Sequence, residues 1–202
     1  GDVTVYTATA IGPNGKTFIE KKSVNNKTGD NVDDVEDGNI IATFDSAWVW
    51  DGEYIDASAR KSYDSMTYTG FAIKPAVKVT NGTKTLVEGS DYTVSYSKNV
   101  NSGLASIKIT GKGSYGFTSK PEFYIEKKDI GSDDVTVGST MVAKGQKASP
   151  VLMYNGKKLT LNKDYQLSYE GSCDAPGSYD IRVSAKENGN FVGNISVQEI
   201  LK

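Results

Sequence analysis

Apolar and polar residues alternate with a period of two along much of the chain. Tyr92, Val94 and Tyr96 alternate with Thr93, Ser95 and Ser97, and Ala105, Ile107 and Ile109 alternate with Ser106, Lys108 and Thr110. Such alternation predicts strands with one buried and one wet face, as antiparallel sheets have; strands of a parallel sheet, buried on both faces, read as continuous apolar runs. Asn81-Gly82 and Asn155-Gly156 predict tight two-residue hairpins, because both central positions of such a turn need positive φ. No apolar stripe of helical period persists beyond a turn or two, and the 21 glycines and the Ser149-Pro150 pair oppose a long helix. The predicted class is all-β, built of small antiparallel sandwiches. A β-grasp is the alternative, and it would require a helix that the pattern does not supply.

The same order of signals occurs twice. Pro75, Val77 and Val79, Asn81-Gly82, Leu86, Asp91-Tyr92-Thr93-Val94-Ser95-Tyr96, Gly103, Ile107 and Ile109 are followed later by a second series. That series is Pro150, Val151, Asn155-Gly156, Leu159, Asp164-Tyr165-Gln166-Leu167-Ser168-Tyr169, Gly177, Ile181 and Val183. The offset drifts from 75 at the proline to 73 at the Asp-Tyr pair and 74 at the glycine, as single-residue loop changes would produce. Nearer the start, Tyr6-Thr7-Ala8-Thr9-Ala10-Ile11-Gly12-Pro13 agrees with Tyr68-Thr69-Gly70-Phe71-Ala72-Ile73-Lys74-Pro75 at five of eight positions. Polar, charged and Gly residues around 56–62 and 127–132 follow the apolar closing segments Tyr54-Ile55 and Phe123-Tyr124-Ile125. The expected division is therefore a divergent first β-module over 1–58 and two further modules over 59–129 and 130–202. Modules this small hide only about 60% of their unfolded surface and are marginal alone.

Composition removes more functions than it suggests. The 23 Lys+Arg and 25 Asp+Glu are interspersed, giving a net charge of -2 and no basic footprint for nucleic acid. No apolar run reaches the roughly 18 residues that a membrane-spanning helix needs, so membrane insertion is not expected. Histidine is absent and cysteine occurs once, at Cys173. That removes Ser-His-Asp and Cys-His nucleophile systems, His-based metal sites and any internal disulfide. The chain is read as non-enzymatic, with no cofactor and no metal.

The segment Tyr68-Thr69-Gly70 … Ile73-Lys74-Pro75 … Leu86 … Gly89-Ser90-Asp91-Tyr92-Thr93-Val94-Ser95-Tyr96-Ser97-Lys98-Asn99 … Gly103-Leu104-Ala105 … Ile109-Thr110-Gly111-Lys112-Gly113-Ser114-Tyr115 resembles the tandem Ig-like repeats of large Gram-positive bacterial surface and secreted proteins. Residues 131–202 resemble the same repeat more loosely, and 1–55 only in the opening motif. The resemblance implies extracellular, non-catalytic modules in an array, acting as spacers or adhesive surfaces beside flanking domains of a longer parent chain. The partner so implied is a host or cell-wall glycan or protein.

Among local constellations, Gly111-Lys112-Gly113-Ser114-Tyr115-Gly116 has the glycines of a phosphate loop. The segment after it is Phe117-Thr118-Ser119-Lys120-Pro121, which cannot open a helix, so a turn is expected. The acidic run Asp30 to Asp37 lacks calcium-loop spacing, since a loop begun at Asp33 would put Val35 and Phe44 at ligand positions. Asp91 and Asp164 are expected to pin turns by accepting backbone N–H bonds.

Trp48-Val49-Trp50 is the ligand-suggestive feature. In a strand both indoles share a face, with Tyr54 beside them, and exposed rings so arranged stack against sugars. This gives the alternative function, a carbohydrate-binding accessory region of a secreted glycan-degrading enzyme, with Trp48, Trp50 and Tyr54 as ligand-binding residues. The competing reading places Trp48, Trp50, Phe44 and Tyr54 in the core of the first module.

Overall fold

A computed structural model describes residues 3–11, 17–25, 40–45, 47–138, 147–171 and 177–201. Every regular element in it is a strand, and most neighbouring strands pair antiparallel, with a two-residue parallel pair among them. The chain divides into two compact units: Gly1–Met66 with Ile73–Asn99 and Leu104–Tyr124, and Thr67–Ala72 with Val100–Gly103 and Ile125–Lys202.

In the first unit, β1 (Val3–Ile11) and β2 (Thr17–Asn25) form a two-stranded ribbon. A second sheet has the order β3 (Ile40–Phe44), β6 (Val77–Asn81), β7 (Lys84–Thr85). The strands β4 (Gly52–Asp56) and β5 (Lys61–Thr67) belong to a six-stranded sheet with β8 (Tyr92–Ser97), β9 (Gly103–Gly111), β10 (Thr118–Ser119) and β11 (Glu122–Glu126). There β9 pairs with β8, β10 and β11, and β5 and then β4 follow on the far side of β11. The alternation read from the sequence is the burial pattern observed. Ala105, Ile107 and Ile109 are buried on β9, while Lys108 is exposed. Val79, Phe44 and Leu86 are buried on the smaller sheet or beside it, and Tyr92 and Phe123 on the larger one. Each Val, Leu, Ile or Phe side chain among these contributes about 1.5–3 kcal/mol by leaving water.

The predicted boundary at residue 58 lies in the turn between β4 and β5, which pair from Gly52↔Ser65 to Asp56↔Lys61. Asp56 shapes that turn by accepting the amides of Ser58 and Ala59 at 3.0 Å each and the Ser58 hydroxyl at 2.6 Å. The Ser58 hydroxyl bond is the largest influence holding this carboxyl below the usual range, followed by the Ala59 amide. Ile55, of the apolar closing segment Tyr54-Ile55, is 70% exposed. It alternates with Tyr54, so the two cannot share a face of β4.

The second unit contains β12 (Lys128–Asp129), β13 (Val135–Gly138), β14 (Val151–Tyr154), β15 (Lys157–Lys158), β16 (Tyr165–Tyr169), β17 (Gly177–Ala185), β18 (Phe191–Val192) and β19 (Asn194–Leu201). β12 and β18 make the parallel pair. One sheet has the order β13-β14-β15 and the other β16-β17-β19. Val135, Leu152, Tyr154 and Leu159 from the side of the first sheet meet Tyr165, Val183 and Phe191 from the side of the second in one cluster with Ile130. Two antiparallel sheets burying a shared face is the construction of the sandwich class.

The two hairpins predicted from Asn-Gly differ. Asn155 and Gly156 both have positive φ, 47° and 74°, and Tyr154 pairs with Lys157, as a type I′ turn requires. Asn81 instead ends its strand opposite Lys84, and the loop is Gly82-Thr83 with Gly82 at φ 57°. One left-handed residue in the first loop position suits a type II′ turn, which asks for glycine there and leaves Asn81 in the ladder. With this correction, Val79 corresponds to Leu152, Asn81 to Tyr154, Lys84 to Lys157 and Leu86 to Leu159, all at an offset of 73.

Candidate functional site

The segment that carries the two tryptophans is a turn rather than a strand. Asp45 follows β3 and organises it: its amide donates to the Ala76 carbonyl, its carboxylate accepts the Ala47 amide, and its carbonyl accepts the Trp48 amide, each at 2.9 Å. The Asp51 amide then donates to the Ser65 carbonyl at 3.0 Å, attaching the end of the turn to β5. Asp is suited to this place because its short carboxylate reaches its own backbone two residues on.

Trp50 packs edge-on against Phe44, with ring centroids 4.9 Å apart, and lies 5.7 Å from Phe123, which is fully buried. Trp48 meets Trp50 edge-on at 6.2 Å. Both indole N–H groups are buried and have no hydrogen-bond partner among the described residues. Between them Val49 is 78% exposed. The turn therefore directs its two large rings toward one another and toward β3 and β11, and its small apolar side chain outward. Both tryptophans retain partial exposure.

Tyr54 is held elsewhere. Its ring stacks on that of Tyr124 at 3.5 Å and 5°. Tyr124 follows Phe123 on β11, so the two point to opposite faces of the sheet. Trp50 lies with Phe123 and Tyr54 lies with Tyr124, and the three predicted residues do not form one row of rings. Tyr124 was not among the residues singled out from the sequence. The signal for it is the alternation of Phe123-Tyr124-Ile125, in which Phe123 and Ile125 are buried and the tyrosine between them takes the other face.

Gly111 to Gly116 forms the expected turn, with Gly111 donating to the Phe117 carbonyl at 2.9 Å and Tyr115 donating to that of Lys112 at 3.0 Å. Lys84 donates to the Tyr115 hydroxyl at 2.8 Å, and that bond is the main cause raising the lysine above its ordinary value. No group of three or more His, Cys, Asp or Glu side chains able to hold a metal occurs among the described residues. The acidic run and Cys173 lie outside the described residues.

The best-built polar features are two turns. Asp91 accepts the Val87 amide at 2.8 Å and donates its own amide to the Val87 carbonyl at 2.8 Å. Asp164 does the same with Thr160, at 2.7 and 2.8 Å. Within these turns Gly89 (φ 89°) donates to the Tyr92 carbonyl, and Asn162 (φ 68°) to that of Tyr165, both at 2.7 Å. The strands that follow end in the same way: the Tyr96 hydroxyl donates to the Pro75 carbonyl and the Tyr169 hydroxyl to that of Ala148, each at 2.7 Å. Burial, ahead of nearby charge, pushes the Tyr92, Tyr96 and Tyr165 phenols above their ordinary value.

No protein-family model, curated protein or solved structure matches the chain.

Proposed function

We propose that the chain is a non-catalytic, extracellular array of Ig-like sandwich modules from a bacterial surface protein, serving as a spacer or adhesive stalk. The observation that carries this reading is the duplicated construction around Asp91 and Asp164. In both places a carboxylate-pinned turn leads to a strand whose terminal tyrosine reaches back to a carbonyl 21 residues earlier. The strand orders β8-β9-β11 and β16-β17-β19 agree with two copies of one module. Chemistry so repeated stabilises a scaffold; a catalytic centre needs its groups gathered once, around a reacting atom.

The partner proposed for such an array is a host or cell-wall glycan or protein. The carbohydrate-binding alternative keeps one supporting observation, the half-buried Tyr54–Tyr124 stack on the face of β11 opposite Phe123.

Stretching single full-length molecules tests the scaffold reading. Two resolved unfolding events are expected, each releasing the chain length of one module. A smooth extension without discrete events would refute a load-bearing array.

A further inference from the structure

The two units finish their larger sheets differently at one edge. Among the described residues, the only strand that β8 or β16 pairs with is the long one beside it, β9 or β17, so that edge is alike in both. At the opposite edge β11 is followed by β5 and β4, whereas β19 has β17 as its only partner among the described residues. β19 is also the longer strand, eight residues against five, and so presents about 27 Å of backbone.

Free edges are ordinarily blunted by charge, proline or a bulge, because an open row of N–H and C=O groups templates further pairing. Asn194-Ile195-Ser196-Val197-Gln198-Glu199-Ile200-Leu201 contains no proline and no lysine or arginine. Its ladder to β17 runs without a bulge from Asn194↔Ser184 to Leu201↔Gly177. Its single charge, Glu199, is turned inward and buried, leaving Asn194, Ser196, Gln198 and Ile200 on the wet face. Ile200 is 66% exposed. Apart from this inward-facing glutamate, the edge lacks the devices that keep a strand solitary.

We propose that β19 pairs antiparallel with the β19 of a second copy of this chain. A two-fold contact sets each surface against itself, so it tolerates only a strand that does not repel its own image. Here the wet-face residues are all uncharged, and a two-fold axis through Val197 sets Ser196 opposite Gln198 and Asn194 opposite Ile200. Backbone bonds supply the affinity, as in other strand additions. The position of β5 beside β11 shows that a sheet with the same three-strand order accepts a strand at this edge.

Sedimentation velocity on the full chain tests this, with circular dichroism confirming that each variant folds. The unaltered chain is expected to dimerise as its concentration rises. Ser196→Lys with Gln198→Lys is expected to stay monomeric, as is Ser196→Glu with Gln198→Glu, and an equimolar mixture of the two variants should recover the dimer. A chain that remains monomeric throughout overturns the proposal. So does dimerisation of either folded variant alone, or a mixture of folded variants that fails to associate.

Discussion

The carboxylate of Asp164 accepts the amide of Thr160 at 2.7 Å while the Asp164 amide donates to the Thr160 carbonyl at 2.8 Å. This reciprocal pair closes the turn before β16, and Asp91 with Val87 closes the one before β8 in the same way. Asp91→Ala and Asp164→Ala should each destabilise by about 1–2 kcal/mol, the cost of a lost side-chain acceptor with an amide left unpaired. Asn at either position keeps an acceptor oxygen and should cost less than Ala. Urea melts resolve the difference, and alanine variants indistinguishable from the parent would remove the role assigned to these carboxylates.

Gly89 and Asn162 hold the corresponding left-handed positions of those turns. A Cβ added at Gly89 meets nothing within 4 Å, so only backbone conformation opposes a side chain there. Gly89→Asn should cost less than about 1 kcal/mol, because Asn visits this conformation readily, whereas Gly89→Val should cost about 1–2 kcal/mol or more. Equal melting temperatures for the two variants would contradict the argument.

Gly111 differs, since space rather than φ excludes a side chain. A Cβ there would stand 1.9 Å from the Tyr115 carbonyl oxygen and 2.6 Å from the Phe117 ring. Backbone cannot yield as a flexible side chain does, and Gly111→Ala should cost at least about 1–3 kcal/mol. Thermal unfolding measures it, and a neutral substitution would mean that the turn lies more open than described.

Alkaline pH should unfold the chain through its tyrosines. Burial is the first cause raising Tyr68, Tyr92, Tyr96, Tyr154 and Tyr165 above the ordinary phenol value of about 10. The unfolded state then loses these protons first, so stability is intact below about pH 10 and falls as pH rises from there toward the folded-state values. Phenolate absorbance and circular dichroism followed together should show a late group of tyrosines titrating with the loss of structure. Titration of all twelve near pH 10 in a folded chain would contradict it.

Strand identity and facing were legible in the sequence because period-two alternation is a local property. Tyr92, Ala105, Ile107 and Ile109 are buried as their phase predicts, and Ser95 and Lys108 are exposed. Pairing between distant segments left no such mark. Nothing in Gly52 to Asp56 announces that it pairs with the strand after residue 60, or that its apolar Ile55 stands exposed. Spacing misled at Trp48-Val49-Trp50, where alternation suggested a strand but the Asp45 turn decides the geometry. At Asn81-Gly82 the dipeptide was recognised, but the loop begins one residue later because Asn81 remains in the ladder.

The central claim is that this is a scaffold whose large rings at 48 and 50 serve packing, against the alternative that they bind glycan. Circular dichroism of the Trp48→Ala, Trp50→Ala double variant, run beside a polysaccharide retention screen, separates the two. Trp50 lies against Phe44 and Phe123, both buried, and a large aromatic removed from such a site costs about 3–5 kcal/mol. That is a large share of the stability of a small module. The account predicts that the double variant loses the cooperative unfolding of the first unit. A variant that folds as the parent does while losing a polysaccharide that the parent retains would contradict it.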